Sequence, residues 1–232
     1  MPATRMGGCR WLLLGLSLCA FDAGNAATAP DTIEARAQGC STCHGTRGEG
    51  TADLNFPRIA GKPAGYLFNQ LKNFRDGQRS YPPMNYLLAY MHDDYLQELA
   101  AYFSAQPSKI NAAEKVAALA NDAGEQLVAR GDPTRDIPAC VLCHGKGLTG
   151  IEPGIPSLTG LNARYIAAQL VSWRVGTRRA RDPDCMHAVA TRLTEAQIRQ
   201  VSVWLAAQEP VASAVPARLG AWTTPIACGS QP

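Results

Sequence analysis

Much that would assign this chain to a familiar class is missing. Across its 232 residues the formal net charge is only +3, and no dense basic stripe carries interleaved aromatics. Overall charge therefore names no partner, and nucleic-acid binding is excluded. Beyond the first segment no run is apolar enough to cross a bilayer, which takes roughly 20 residues, so the mature chain is expected not to be membrane-spanning. The strand and helix alternation of a thioredoxin-like fold is absent too. So is the spacing of roughly 15 to 20 residues between C-x-x-C pairs that a zinc ribbon needs.

The chain opens on a segment with the pattern of a secretory signal. Arg5 and Arg10 give a basic start, residues 11–20 an apolar run too short to span a membrane, and Gly24-Asn25-Ala26 a small-residue cleavage site. Leu18, bulky and directly before Cys19, argues against lipid attachment. Cleavage would remove Cys9 and Cys19, leaving a soluble exported protein.

Past that segment a single five-residue pattern occurs twice, as Cys40-Ser41-Thr42-Cys43-His44 and as Cys140-Val141-Leu142-Cys143-His144. C-x-x-C-H is the signature of covalent c-type haem attachment: the two thiols become thioethers to the porphyrin and the histidine ligates iron. Two copies in matching contexts predict two covalently attached c-type haems, a cofactor suited to the bacterial periplasm.

The repetition extends well past the motif. At one constant offset, Pro57, Gly61, Tyr66, Gln70, Leu71, Arg75, Gly77 and Arg79 recur as Pro156, Gly160, Tyr165, Gln169, Leu170, Arg174, Gly176 and Arg178. Apolar residues at helical spacing follow in both halves: Leu96, Leu99, Ala100 and Phe103, then Ile198, Val201 and Leu205. A short helical run over 31–38 is expected to start at Asp31 or Thr32 and stop at Gly39, and Thr194 to Gln197 has capping-box spacing. The expected organisation is a signal peptide at 1–26, an N-terminal domain at 27–107, a linker at 108–121, a C-terminal domain at 122–210 and a poorly ordered or surface-draped tail at 211–232. Each domain of about 90 residues is small enough to gain from a buried cofactor.

A c-type haem with one histidine has a second axial position, and a methionine there gives a closed site suited to electron transfer. Met84 and Met186 stand at matching places in the duplication, which singles them out as partners of His44 and His144. Met91 matches Leu193 and reads as core; His92 and His187 are the rival ligands. The carbonyls of Pro57 and Pro156 are candidates to accept the second N–H of each ligating imidazole. Two basic groups, Lys62, Lys72, Arg75 and Arg79 in the first half and Arg174, Arg178, Arg179 and Arg181 in the second, are either docking patches for acidic partners or ordinary solvated faces.

The paired C-x-x-C-H sites, the F/I-P-x-I/L-x-G segments, the Tyr…Gln-Leu helices and the paired methionines resemble the di-haem cytochrome c4 family from about residue 31 to 208. The resemblance implies an all-α fold of two tandem class I cytochrome c domains about a pseudo-two-fold axis, with the haem propionate edges facing across the interface. It implies a periplasmic electron carrier meeting redox partners such as a terminal oxidase, a cytochrome complex or a dehydrogenase, in transient contact with membrane complexes. Similar chains are electron-accepting subunits of flavin or quinone dehydrogenases. A di-haem peroxidase would need an open iron position, which the paired methionines argue against; the chain is expected to be a carrier and not an enzyme. The sequence departs from the family pattern at Tyr81-Pro82-Pro83-Met84 and at Cys185, where a second methionine is often found. Cys185 and Cys228 are the remaining mature cysteines: in an oxidising compartment they suggest a disulfide tying the tail near the second site, with two free thiols as the alternative.

Overall fold

The computed structural model describes residues 31–51, 56–107, 122–208, 215–218, 220 and 223–231. The signal segment, the linker and some of the tail lie outside the described residues. From Asp31 onward the chain forms one compact unit. Among the described residues its regular structure is helical, with isolated bridges in place of strands.

Helix α1 (Ile33–His44) starts at Thr32, whose hydroxyl accepts from the Ala35 amide at 3.3 Å. It does not stop at Gly39 as the sequence suggested. A Cβ at Gly39 would meet nothing within 4 Å, and the helix runs on until Gly45, at φ +86, turns the backbone where a side chain would be strained. The whole motif is therefore helical, and Cys40, Cys43 and His44 share one face.

Helix α2 (Ala64–Arg75) follows, then the short α3 (Pro82–Leu88) and α4 (Asp93–Ala105), which packs on both α1 and α2. The apolar face read from the sequence is the buried one: Leu99, Ala100 and Phe103 close over Ala37, Tyr66 and Leu67, and Leu96 packs with Phe74 and Leu88.

The second half repeats this with one insertion. Helix α5 (Asp122–Arg130) packs on the last helix as α1 packs on α4. A loop then interrupts it, because Pro138 cannot continue a helix into the motif, and α6 is only Val141–His144. Helices α7 (Ala163–Arg174), α8 (Cys185–Arg192) and α9 (Glu195–Ala207) complete the set. The expected capping box is formed: Thr194 Oγ1 accepts from the Gln197 amide at 3.1 Å and Gln197 Oε1 from the Thr194 amide at 2.9 Å. Ile198, Val201 and Leu205 bury against Leu127, Val128 and Leu170.

The halves meet along a seam made by the repeated residues. Arg79 and Arg178 face each other in an antiparallel bridge, with the Ser80 amide donating to the Thr177 carbonyl at 3.1 Å and the Arg179 amide to the Gln78 carbonyl at 2.7 Å. The Arg79 guanidinium donates to Gln70, Gln169 and Tyr165, and that of Arg178 to Gln169, Gln70 and Tyr66. This reciprocity places the two halves about a pseudo-two-fold relation.

The described residues of the tail are fastened, not loose. Ala217 exchanges backbone bonds with Gly150 and Glu152, and the Gln231 side chain bonds Gly154 N and Glu152 O. Cys228 is joined to Cys185 by a disulfide, S–S 1.97 Å.

Candidate haem sites

Each C-x-x-C-H leads into a tight loop whose bonds are repeated. Gly50 N donates to the His44 carbonyl at 2.7 Å, and Gly150 N to the His144 carbonyl at 2.9 Å. Gly50 and Gly150 hold φ of +83 and +92, and a Cβ at Gly50 would stand 2.8 Å from the Arg58 amide nitrogen, so the loop can close only on glycine there. Its closure brings a proline carbonyl beneath each imidazole. His44 Nδ1 lies 2.8 Å from Pro57 O, and His144 Nδ1 2.8 Å from Pro156 O, the two contacts expected from sequence.

Only a protonated Nδ1 can donate to a carbonyl, so Nε2 carries the lone pair a metal would use. Burial favours the neutral form of both rings: it lowers the pKa of His44 and pushes that of His144 down to about 4. Burial also raises Cys40 and Cys143 and pushes Cys140 up to about 12. A nucleophilic redox C-x-x-C has a depressed pKa, and Cys40, Cys140 and Cys143 are shifted the opposite way.

Each motif opens on a cavity that its methionine also lines. The first, of about 1150 Å³, is walled by Cys40, Cys43, His44 and Met84, with Tyr66, Leu71 and Phe74. The second is narrower, about 150 Å³, and is walled by Cys140, Cys143, His144 and Met186, with Leu158, Leu170 and Trp173. Thus all eight candidate residues fall into two sets of four. Met91 packs into the first core and touches the same cavity, as Leu193 does in the second.

The methionines are held by latches that sequence reasoning missed. Asn85, next to Met84, accepts from the Tyr81 amide at 2.7 Å and donates to the carbonyls of Phe74 and Arg79. His187, next to Met186, points its Nδ1 at the Trp173 carbonyl at 2.8 Å, the duplicate of the Phe74 contact. The exposed His187 ring lines neither cavity and is spent on this latch, while His92 is an exposed helix-start residue at the head of α4. Asp184 caps α8 by accepting from the His187 amide at 3.0 Å.

The basic groups divide differently from the sequence expectation. Lys62, Arg79 and Arg178 are buried at the seam and cannot form exposed patches. Lys72 and Arg75 pair with Asp93, and Arg174 with Glu195. Arg179 and Arg181 remain exposed.

The donor set fits a covalently held haem in each half: two thiols and a neutral imidazole on one helical face, a thioether on the same cavity wall, and apolar lining around them. Duplicated helical halves, each closed over its own C-x-x-C-H, define a tandem c-type cytochrome. The chain is 39% identical over 196 residues to the thiosulfate dehydrogenase electron acceptor of Thiomonas intermedia, covering 84% of this chain and 88% of that protein. It is 35% identical to the cytochrome c4 of Pseudomonas aeruginosa, covering 84% and 94%. The solved structure of reduced cytochrome c4 from Pseudomonas stutzeri superposes with a TM-score of 0.67 at 32% identity, covering 76% of this chain and 97% of that one. No protein-family model matches. The chain belongs to the di-haem cytochrome c4 family, and is an electron carrier with two c-type haems, not a catalyst. No helix among the described residues is long and apolar enough to cross a membrane.

Proposed function

We propose that Cys40 and Cys43 carry one haem with His44 and Met84 as its axial ligands, and that Cys140, Cys143, His144 and Met186 do the same for the other, within domains at 27–107 and 122–210. The observation that carries this is the duplicate placement of a proline-anchored, neutral imidazole and a methionine on one cavity wall. The haem irons, when bound, supply the ferric–ferrous couple. The protein's role is to hold the imidazoles in one tautomer, to fix the methionines through the Asn85 and His187 latches, and to keep solvent and substrate away. An imidazole and a thioether holding each iron would leave no position for substrate, and electrons would pass by outer-sphere contact with a transiently docked partner. The signal segment at 1–26 supports cleavage and residence in the periplasm.

Removing the methionines one at a time tests the ligand sets. Wild-type protein should give two haems per chain by pyridine haemochrome and a far-red methionine-to-iron band. Met84→Ala and Met186→Ala should each remove about half of that band, and the double variant all of it. A band that survives both substitutions would overturn the assignment.

The relative named a thiosulfate dehydrogenase electron acceptor favours a more specific role, as the cytochrome that takes electrons from a thiosulfate-oxidising enzyme. Thiosulfate-dependent reduction of the purified chain, catalysed by such an enzyme at rates well above those given by an unrelated dehydrogenase, would support this partner. Equal rates would remove it.

A further inference from the structure

Four cations are buried at the seam: Arg58 and Lys62 at 5% exposure, Arg79 at 8% and Arg178 at 3%. Among the described residues none of them forms an ion pair with a carboxylate; the ion pairs there all lie elsewhere. Buried charge without counter-charge is costly. The cost shows in Arg58 and Arg178, which burial pushes down to about 10, and in Lys62, which burial and the neighbouring guanidiniums take well below its ordinary value.

Among the described residues three buried side-chain donors lack a partner, and two of them, apart from Ser202 Oγ, belong to residues that line the cavities, one in each. Arg58 Nη1 and Nη2 bond Ala60 O, Ser157 Oγ and Thr159 O, yet its buried Nε has no partner. In the second cavity the buried indole N–H of Trp173 has none. All four cations line the first cavity, and Lys62 and Arg178 line the second as well. Among the described residues the one carboxylate lining either cavity, Asp184, is taken up by the Ala180 and His187 amides, so these cations and donors lack an anionic acceptor, and the carboxylates of two haems are acceptors of that kind.

The duplication makes the cluster lopsided. Arg79 and Arg178 are counterparts, but Arg58 and Lys62 fall where the second half has Ser157 and Leu161. Lys62 Nζ reaches across to Ser157, donating to its carbonyl at 3.1 Å and lying 3.4 Å from its hydroxyl.

We propose that Arg58 and Lys62 form a carboxylate-binding site that only the first half contributes, that this site takes haem propionates, and that its unmatched positive charge raises the potential of each haem it reaches above what the repeated residues alone would give. The inference rests on the two haem sites proposed above. Arg58 serves the first haem; Lys62, shared by both cavities, serves both. Positive charge favours the ferrous form because reduction adds an electron. A unit charge about 10 Å away at an effective permittivity of about 20 changes the ferric-to-ferrous ratio roughly tenfold, or about 59 mV for a one-electron couple.

The test replaces each residue by its counterpart, Arg58→Ser and Lys62→Leu, in the di-haem holoprotein, with Lys62→Met standing in if the leucine variant does not fold. Haem content, the two potentials and the propionate bands in resonance Raman are then measured. Arg58→Ser should lower one potential by about a tenfold ratio, the Lys62 variant should lower both, and each should shift a propionate band. Two attached haems with unchanged potentials and unchanged propionate bands would overturn the site while leaving the ligand assignment intact. Wild-type protein without covalent haem would instead overturn the assignment beneath it.

Discussion

The methionines that line the two cavities are held by side chains that do not line them. Asn85 satisfies three backbone groups between α2 and α3 and so fixes the turn that presents Met84. Removing its amide strands an N–H and two carbonyls in a half-buried corner, each worth about 1–3 kcal/mol when left unpaired. Asn85→Ala is expected to lower unfolding free energy by about 2 kcal/mol in urea titration, and to weaken the far-red band of one haem only. His187 shows how easily such a latch is misread. Beside a methionine it looks like a rival ligand, but its ring nitrogen serves a carbonyl at the duplicate of the place where Asn85 does.

Helices here are positioned by their ends. α9 starts on a reciprocal capping box and carries Ile198, Val201 and Leu205 into the second core, against α5 and α7. Thr194→Ala breaks the box and is expected to cost about 1 kcal/mol, read as a lowered urea midpoint with an unchanged m-value. The paired helices α3 and α8 differ at the same level. α3 begins on two prolines with no side-chain cap, whereas Asp184 caps α8 and also accepts from the Ala180 amide at 2.7 Å. The sequence difference at Tyr81-Pro82-Pro83 is thus a difference in how the methionine helix is started.

Across the whole molecule the two halves are repeated but not equally covered. In the second half Thr224, Ile226, Cys228 and Ser230 of the tail line the cavity, pinned by the Cys185–Cys228 disulfide across a sequence separation of 43. In the first half Tyr86 and Tyr90 stand 86% and 93% exposed, Tyr86 at the rim of its cavity. Cross-links of that span contribute about 2–4 kcal/mol by restricting the unfolded chain. Cys228→Ser should lower the melting temperature to that of wild-type protein held in reductant, and should speed amide exchange at Ala217 and Gly229. A variant that melts like oxidised wild-type would show that the tail is held by its hydrogen bonds alone.

By itself the sequence determined the attachment motifs, the duplication, the core faces of α4 and α9, the capping box and the proline partners of both histidines. Each depends on local spacing: a helical period, a five-residue motif, or a turn fixed by glycine and proline. The length of α1 escaped because Gly39 resembles a stop, and nothing local says that the backbone there has no need to turn. Tyr66, Gln70 and Arg79 were legible as repeats but not as a seam. Only the tertiary structure brings each against the other half's copies, turns Lys62 and Arg178 from apparent surface charge into buried charge, and places the two unmatched cations of one half at the seam, Arg58 on the first cavity and Lys62 on both. Contact between residues a hundred positions apart leaves no periodic trace, and the energetic meaning of a charge depends on the solvent it has lost.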